Sequence, residues 1–387
     1  MDKKIKIGHI ADCHLRAIHY GDKNRGEKFA EGVINACKKA KENGIDFVVC
    51  SGDLLDSNNP GTIVVNKHLP SIDSELRSIG VTLVVTSGNH DNCNPSWLTP
   101  YTINSYNLTD KDSGIVYVPN CATVCIDSNE SIPIKVLAIP YVSNTDLIST
   151  LDKEKENGTK VDIVMAHCEV AGMFSFTSSE AINPESFPQE ICSVYALGHI
   201  HKKAVKKLDN GTIIVYPGST ELCSEDEDNT KTLAEYTFSL KDSSWVLDGY
   251  RFIPFKTQKV YRKSITTEEE LKEVIDYISK HKDLIAFISY SPKILNVVQK
   301  LNDIKGEQTC LRLKPIVSDK YKVQSLSRED IIKGPSEFFK KNMEKLIPDK
   351  DVRARVESLC NALLLPDTDS KTCIMDYCNK RSDNLTI

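Results

Sequence analysis

Five short apolar runs, each followed at once by a polar cluster, most constrain what this chain can fold into. Runs of this length that are rich in β-branched residues are typical of strands buried on both faces of a sheet. Amphipathic stretches lie between some of the runs, and residues 28–44 place Phe29, Val33 and Cys37 on one helical face. The pattern predicts an α/β domain in which helices cover sheets. The runs occupy residues 5–11, 47–50, 81–86, 162–166 and 194–197.

The polar clusters read DCH, SGD, SGNHD, HCE and GHIH, and each begins where its apolar run ends. In α/β sheets the chemistry gathers beyond the carboxyl ends of the strands. Five clusters at the same end of five strands therefore predict one shared site. The candidate residues carry carboxylate, amide and imidazole groups: Asp12, His14, Asp53, Asn89, His90, Asp91, His167, His199 and His201.

These side chains predict a metal centre, because carboxylate, imidazole and amide oxygen together suit borderline-hard divalent ions. Side chains two residues apart in extended backbone point the same way, so Asp12 and His14 can reach one ion. By the same argument His199 and His201 could serve one ion or straddle two. Seven ligands exceed the need of one ion, and two ions about 3.5–4 Å apart, bridged by Asp53, would use them all.

Two adjacent divalent ions suit the hydrolysis of phosphate esters. They hold the phosphate oxygens, lower the pKa of a bridging water and neutralise charge on the leaving oxygen. His90 directly follows Asn89 and would then reach the phosphate or protonate the leaving group. Asp56 lies one short loop segment from Asp53 and could orient His90. Asp91 is the competing orienter, unless it caps the helix that follows.

Beyond residue 255 the pattern changes. Residues 256–324 read as strand, helix, strand, helix and strand, with Thr267 as a helix cap, and predict a small α+β domain. Residues 325–365 read as two amphipathic helices and residues 366–387 as a polar tail. The charge shifts as well, because residues 256–365 carry 22 Lys and Arg against 16 Asp and Glu in a chain of net charge −5.

Composition limits the class of protein. No apolar run approaches the roughly 20 residues that a membrane span needs. The first residues alternate like a strand and lack the apolar core of a signal peptide. The thirteen cysteines include no CxxC pair, which favours reduced thiols over disulfides or structural zinc. We therefore expect a cytoplasmic protein with no membrane association.

The segments DCH, GDLLD, GNHD, AHCE and GHIH resemble the five motifs of the calcineurin-like metallophosphoesterases. Within that superfamily the chain is similar to the SbcD-type DNA repair nuclease subunits. The narrower resemblance rests on YPGSTEL at residues 216–222, on the α+β region and on the C-terminal helices. It implies a layered α/β/β/α sandwich over residues 1–255, followed by a small α+β capping domain and C-terminal helices.

Carried over by position, the resemblance implies two metal sites that share one carboxylate. One ion would be held by Asp12, His14, Asp53 and His201, and the other by Asp53, Asn89, His167 and His199. His90 would be the catalytic histidine. The ions of the family are usually manganese, so two Mn²⁺ ions are the expected cofactors.

The resemblance also implies DNA, an ATPase and a second copy of the chain as partners. In SbcD-type proteins the α+β unit caps the active site and contacts DNA, and the helices after it bind the coiled-coil base of the SbcC-type ATPase. Helices of the first domain form a homodimer, which we place near residues 66–80 and 96–107. The implied function is a DNA exonuclease and endonuclease that works with this ATPase on DNA double-strand breaks or DNA ends.

Two departures and two alternatives accompany this interpretation. The fourth motif has Ala166 where many relatives have glycine, which leaves the histidine intact. The loop at residues 221–232 is more acidic than DNA contact favours and reads as a solvated loop. A small-substrate phosphatase or nucleotide phosphodiesterase would account for the motifs but not for the residues beyond 255. A non-catalytic interaction module would have lost metal ligands, whereas all seven are retained.

Overall fold

The computed structural model describes residues 3–92, 114–126, 132–176 and 178–316 of the 387-residue chain. The chain divides into two compact units, residues 1–314 and 315–387. Three predictions lie outside the described residues: the helical segment at 325–365, the polar tail at 366–387 and the dimer segment at 96–107.

Fifteen strands occur within the described ranges. In chain order they are β1 (Lys4–Ile10), β2 (Phe47–Ser51), β3 (Thr82–Thr86), β4 (Ile115–Tyr117), β5 (Ala122–Ile126), β6 (Ile134–Ala138), β7 (Ile163–His167), β8 (Val194–Gly198), β9 (Ala204–Lys207), β10 (Ile213–Tyr216), β11 (Thr232–Lys241), β12 (Ser244–Pro254), β13 (Lys259–Ile265), β14 (Asp283–Tyr290) and β15 (Gln308–Pro315).

The strands form two six-stranded sheets and one three-stranded sheet. The first sheet has the order β12-β11-β1-β2-β3-β4, the second β5-β6-β7-β8-β10-β9, and the third β13-β14-β15. Strands β1 to β4 pair in parallel, as do β6, β7, β8 and β10 of the second sheet. Parallel neighbours end at the same edge of a sheet, and this places the polar clusters after them side by side.

Among the residues that the structure describes, five α-helices connect or cover these strands: α1 (Lys23–Glu42), α2 (Leu69–Ile79), α3 (Asn144–Glu156), α4 (Glu268–Lys280) and α5 (Val297–Ile304). Helix α1 begins after Asp22, whose side chain accepts the N–H of Asn24 at 2.9 Å. It therefore starts one turn before the amphipathic segment at 28–44 indicates. In the part of the chain that the structure describes, no helix is long and apolar enough to cross a membrane.

The first two sheets pack face to face because alternate side chains of each strand point into the space between them. Ile7 and Val49 of the first sheet lie in one buried cluster with Met165 and Ala196 of the second. Each aliphatic side chain buried in this way contributes about 1.5–3 kcal/mol.

Helices cover the outer face of each sheet. Val48 packs beneath Phe29 of α1, and Val164 packs beneath Leu147 and Leu151 of α3. The apolar runs are thus buried on both faces, as their composition predicts. The layered α/β/β/α sandwich inferred from the sequence is confirmed.

The α+β region contains β13, α4, β14, α5 and β15. Thr267 caps α4 as predicted: its side chain accepts the N–H of Glu270, whose carboxylate accepts the N–H of Thr267. Leu271 and Val274 of α4 join Leu301 of α5 in a core of their own against the three strands. Residues 1–314 nevertheless form one compact unit, so the domain boundary at residue 255 stays a prediction.

Gly198 ends β8 at a close approach to β2 of the other large sheet. A side-chain carbon added there would lie 2.1 Å from the main-chain oxygen of Ser51 and 2.8 Å from Nδ1 of His167. Neither neighbour can move without displacing a strand or a ring that is itself hydrogen-bonded. The close approach of β2 and β8 therefore requires glycine.

Gly198→Ala should lower the free energy of unfolding by about 1–3 kcal/mol, because the added methyl group overpacks a fixed contact between the sheets. Gly249→Ala is the matched control, since a carbon added to Gly249 in β12 meets nothing within 4 Å. Urea unfolding followed by circular dichroism would measure both variants. Equal stability of the two would contradict the steric requirement at Gly198.

Candidate metal centre

The segments that follow β1, β2, β7 and β8 come together at one edge of the sandwich. The hydroxyl of Ser51 at the end of β2 donates to the main-chain oxygen of Ala196 in β8 at 2.7 Å. Nδ1 of His167, at the end of β7, lies 2.9 Å from the main-chain oxygen of Ser51. The N–H of Asp12 donates to the main-chain oxygen of Gly52 at 3.2 Å. These bonds fix the chain segments that carry the predicted ligands.

Four of the predicted ligands have left-handed backbone: φ is 53° at Asp12, 49° at His14, 52° at Asp53 and 101° at His199. Residues other than glycine occupy this region at a cost of order 1 kcal/mol or more, and do so mainly at functional sites. The extended backbone assumed for Asp12 and His14 is therefore wrong. Main-chain hydrogen bonds hold the strained turns in place, such as that from the N–H of His14 to the oxygen of Asp53 at 2.9 Å.

Asn89 and two histidines of the second sheet form one half of the site, here called the Asn89 half. Oδ1 of Asn89 lies 3.0 Å from Nε2 of His167 and 3.0 Å from Nδ1 of His199. Oδ2 of Asp53 lies 3.3 Å from the same nitrogen of His167. These four side chains can share one ion.

His14 and His201 form the other half, here called the His14 half. Their Nε2 atoms lie 3.0 Å apart. Oδ2 of Asp53 lies 3.9 Å from Nε2 of His14, so the Asp53 carboxylate stands between the two halves. This is the position that a bridging ligand would need.

Asp12 contacts residues of the Asn89 half. Its carboxylate accepts the main-chain N–H of His199 at 2.9 Å. Ligand atoms of Asp12, Asp53 and His167 lie within 4.8 Å of one another. Asp12 is fully buried, so its charge is available only to groups inside the site.

The two histidines of GHIH face different halves. His199 contacts Asn89, and His201 contacts His14. Side chains two residues apart share a direction only in extended backbone, and the left-handed φ of His199 breaks that rule. The sequence left open whether the two histidines serve one ion or straddle two. In the structure they straddle two positions.

The nitrogen atoms of the site fit metal ions. His167 directs Nδ1 at the oxygen of Ser51, and His201 directs Nδ1 at Oε1 of Glu227 at 2.7 Å. A histidine that donates Nδ1–H to an oxygen presents the lone pair of Nε2 to a metal. Two nitrogen ligands at right angles on one ion, each about 2.1 Å from it, lie about 3 Å apart. The separation of His14 and His201 matches that value.

The electrostatics of the Asn89 half favour a positive charge. Burial lowers the pKa of His167, but the carboxylate of Asp53 outweighs burial and raises that pKa to about 9. Burial and the neighbouring His167 lower the pKa of His199. This half therefore holds one protonated and one neutral histidine near neutral pH. A divalent ion would replace the positive charge of the protonated histidine.

The His14 half has the same arrangement. Burial lowers the pKa of His201, but hydrogen bonds to Cys223 and Glu227 outweigh burial and raise it. Burial lowers the pKa of His14, with the charge of His201 acting in the same direction. Each half of the site thus accommodates positive charge beside buried carboxylates.

His90 lies at the exposed side of the His14 half, with its ring edge-on to that of His14 at 4.8 Å between centroids. Its Nδ1 lies 3.0 Å from the main-chain oxygen of Asp56, so the orienting contact comes from the backbone. The predicted carboxylate contact is wrong, because the Asp56 carboxylate pairs with Arg16 and lies 3.3 Å from Nδ1 of His14. The Arg16 guanidinium always carries a charge and holds that carboxylate through a charge-assisted hydrogen bond.

Asp91, the competing orienter, is fully buried. Its carboxylate accepts the main-chain N–H of Gly88 at 2.6 Å and that of Leu55 at 3.2 Å. These bonds tie the segment after β3 to the segment after β2. Asp91 therefore shapes the loop that presents Asn89 and His90. The helix that Asp91 was expected to cap lies outside the described residues.

Two residues that the sequence analysis did not single out border the His14 half. Oε1 of Glu227 contacts His201, and Sγ of Cys223 lies within 4.8 Å of ring nitrogens of His14 and His201. Both belong to the loop at 221–232. Its interpretation as a solvated loop is wrong for Glu227, whose side chain is only 3% exposed. The sequence did contain a signal for the burial of Glu227: this residue follows soon after YPGSTEL, and Lys231 is available as a partner for a buried carboxylate.

The apparent affinity of the Asn89 half for Mn²⁺ should rise with pH up to about pH 9, because Nε2 of His167 must lose its proton before it binds an ion. The gain should approach about tenfold per pH unit for each proton released. Isothermal titration calorimetry at several pH values, in buffers of different ionisation enthalpy, measures the affinity and the number of protons released. An affinity independent of pH, without proton release, would contradict the charge state described here.

Comparison with known proteins agrees with this geometry. Residues 5–203, about half of the chain, match the family model Calcineurin-like phosphoesterase. The chain is also similar to three proteins named DNA double-strand break repair protein Mre11. That of Archaeoglobus fulgidus is 23% identical over 374 residues, which cover 89% of this chain and 80% of that protein.

The other two relatives have a similar sequence identity to this chain. The protein of Methanococcus maripaludis is 24% identical over 386 residues, covering 95% of this chain and 98% of the relative. That of Sulfurisphaera tokodaii is 24% identical over 274 residues, which cover 70% of this chain and 68% of that protein. The family match includes the segments that supply all seven predicted ligands. The chain belongs to the calcineurin-like phosphoesterases, a family of metal-dependent enzymes that hydrolyse phosphate esters.

Proposed function

We propose that the chain is the nuclease subunit of a DNA-end-processing complex and hydrolyses DNA phosphodiester bonds with two divalent metal ions. The observation that carries the proposal is the two-part site in which Asp53 stands between the Asn89 half and the His14 half. Similarity to proteins named for DNA double-strand break repair, over most of this chain, supports DNA as the substrate.

The proposed residue roles rest on the family resemblance, and the contacts of every ligand except Asp12 support them. Asp12, His14, Asp53 and His201 would hold one ion, and Asp53, Asn89, His167 and His199 the other. Bound ions would hold the phosphate oxygens and lower the pKa of a bound water. We propose manganese as the metal, because it is the usual ion of the family that the motifs resemble and because the carboxylate and amide oxygens suit it.

His90 is proposed as the catalytic histidine. Its main-chain N–H donates to Oδ1 of Asp53 at 2.9 Å, and its Nδ1–H donates to the main-chain oxygen of Asp56. These two bonds fix the ring with Nε2 free of both contacts. An imidazolium at this position can contact the phosphate and give the Nε2 proton to the leaving oxygen.

The other partners are proposals that rest on the resemblance. The α+β domain at 256–324 would cap the site and contact DNA, which its excess of basic residues favours. Residues 325–365 would bind an SbcC-type coiled-coil ATPase. Two copies of the chain would form a homodimer through residues 66–80 and 96–107, and we propose that the complex acts in the cytoplasm.

One observation favours a second candidate, a phosphatase or nucleotide phosphodiesterase with a small substrate. Glu225, Asp226 and Asp228 are exposed on the loop whose Glu227 contacts His201. Their charge disfavours a long polyanion close to the site more than it disfavours a small phosphate ester. The substrate must therefore be tested directly.

The protein with Mn²⁺ should degrade linear duplex DNA, and His90→Asn should reduce the rate by about 10²–10⁴-fold, because a positioned proton donor contributes about that factor. Gel electrophoresis of end-labelled DNA measures the rate. Calorimetric titration with Mn²⁺ is the control, and His90→Asn should bind as many ions as the parent protein does.

Two results would overturn these assignments. Hydrolysis of a small phosphomonoester without degradation of linear DNA, alone or with the ATPase, would favour the second candidate. Full activity of His90→Asn with normal metal binding would remove His90 from the chemistry.

Deletion of residues 326–387 should abolish binding to an SbcC-type ATPase but leave hydrolysis of a small chromogenic phosphodiester unchanged, because residues 1–314 contain the whole proposed site and form one compact unit. Co-purification and a colorimetric assay measure the two properties. Retained ATPase binding would place the partner surface on the remaining residues.

A further inference from the structure

We propose that Glu227 is a positioning residue of the metal centre, which fixes His201 as a ligand and links the His14 half of the site to the α+β region through residues 225–229. The inference rests on the proposed metal centre. It assigns a role to a loop that sequence reasoning treated as solvated, and to a carboxylate that would not itself bind an ion.

The Glu227 carboxylate is held from several sides. Oε1 lies 2.7 Å from Nδ1 of His201. Oε2 accepts the ammonium of Lys231 at 2.7 Å and the hydroxyl of Ser219 at 2.9 Å. It also accepts the main-chain N–H of Cys223 at 3.1 Å. A buried carboxylate with this many donors cannot rotate away from His201 without leaving charged groups unpaired.

The contact with Glu227 determines which nitrogen of His201 faces the site. Because Nδ1–H donates to the carboxylate, Nε2 is the nitrogen that faces Nε2 of His14, 3.0 Å away, and it can bind an ion once it has lost its own proton. A carboxylate behind a histidine ligand also makes the ring a stronger donor to a metal. Without Glu227 the His201 ring could turn or bind its proton at the wrong nitrogen.

The two halves of the site are therefore supported differently. In the Asn89 half, Nδ1 of His167 meets the main-chain oxygen of Ser51, which belongs to β2 of the central sheet. In the His14 half, Nδ1 of His201 meets a side chain on a loop. The position of that loop therefore decides the orientation of the His201 ring.

The α+β region holds the loop through Arg262 of β13. The Arg262 guanidinium donates to the main-chain oxygen of Glu225 at 2.6 Å and to the side-chain oxygen of Asn229. It also lies over the ring of Phe287 in β14, 5.3 Å from the centroid. These contacts attach the chain on both sides of Glu227 to the three-stranded sheet. A displacement of β13 would move the carboxylate that orients His201.

A purely structural role for Glu227 is the competing explanation, since a buried ion pair with Lys231 also affects folding. The two roles make different predictions. Loss of fold stability acts on both halves of the site, whereas loss of positioning acts on the half that contains His201.

The test measures Mn²⁺ binding to the full-length protein by calorimetric titration. The parent protein should bind two ions. Glu227→Gln should bind one ion with unchanged affinity and the second about tenfold to a hundredfold more weakly, the usual effect of losing the partner behind a histidine ligand. Glu225→Gln is the matched control, because it removes the same charge two residues away from an exposed side chain. It should bind both ions like the parent protein.

A second pair of variants keeps the test decisive if Glu227→Gln does not fold. Arg262→Ala changes an exposed residue of β13 and should weaken the same single ion by a smaller factor. Lys263→Ala, on the next residue of that strand, is its control, since Lys263 pairs with Glu273 instead of the loop. Electron paramagnetic resonance of bound Mn²⁺ would show the loss of one of two sites in the Glu227 and Arg262 variants only.

The outcomes separate the two proposals. If the parent protein binds fewer than two ions, the metal centre itself is wrong. If it binds two and both Glu227→Gln and Arg262→Ala bind two with unchanged affinity, the positioning role is wrong while the proposed function stands. Equal weakening of both ions would also overturn the positioning role, because it would reflect a general loss of fold.

Discussion

The contact between Ser51 and the second sheet is the constraint on which the rest of the site depends. The hydroxyl of Ser51 binds the main chain of Ala196, and its carbonyl oxygen receives Nδ1 of His167. These bonds draw together the carboxyl ends of strands from both sheets, with Gly198 making room for the approach. The loops beyond can then deliver side chains to one space. A looser packing of the sheets would leave the same residues too far apart to share an ion.

The site works against the stability of the fold that carries it. Four candidate ligands have left-handed backbone, and buried carboxylates lie beside buried histidines. Each departure from ordinary backbone geometry costs of order 1 kcal/mol or more. Ions that bind the native state and not the unfolded chain would offset this cost by mass action. The layers of aliphatic side chains on both faces of the sheets supply the stability that tolerates the strain.

Much of the architecture could be predicted from the sequence, because β-branched runs and the cap at Thr267 are local signals. The gathering of ligands also followed from the rule that parallel strands end together. Three details could not be predicted. The left-handed turns at Asp12 and His199, the pairing of the Asp56 carboxylate with Arg16, and the burial of Glu227 beneath His201 all depend on contacts between segments far apart in sequence. No local pattern encodes the first two details. For Glu227 the local signal was Lys231 four residues later, but the charge of the loop at 221–232 argued for solvent.

The different supports of the two histidines have a consequence for how such an enzyme can diverge. Every amino acid supplies a main-chain oxygen at position 51, so a point mutation cannot delete the acceptor that His167 contacts. The support of His201 is the side chain of Glu227, which a single codon change can remove or replace. Single substitutions should therefore disturb the orientation of His201 more readily than that of His167.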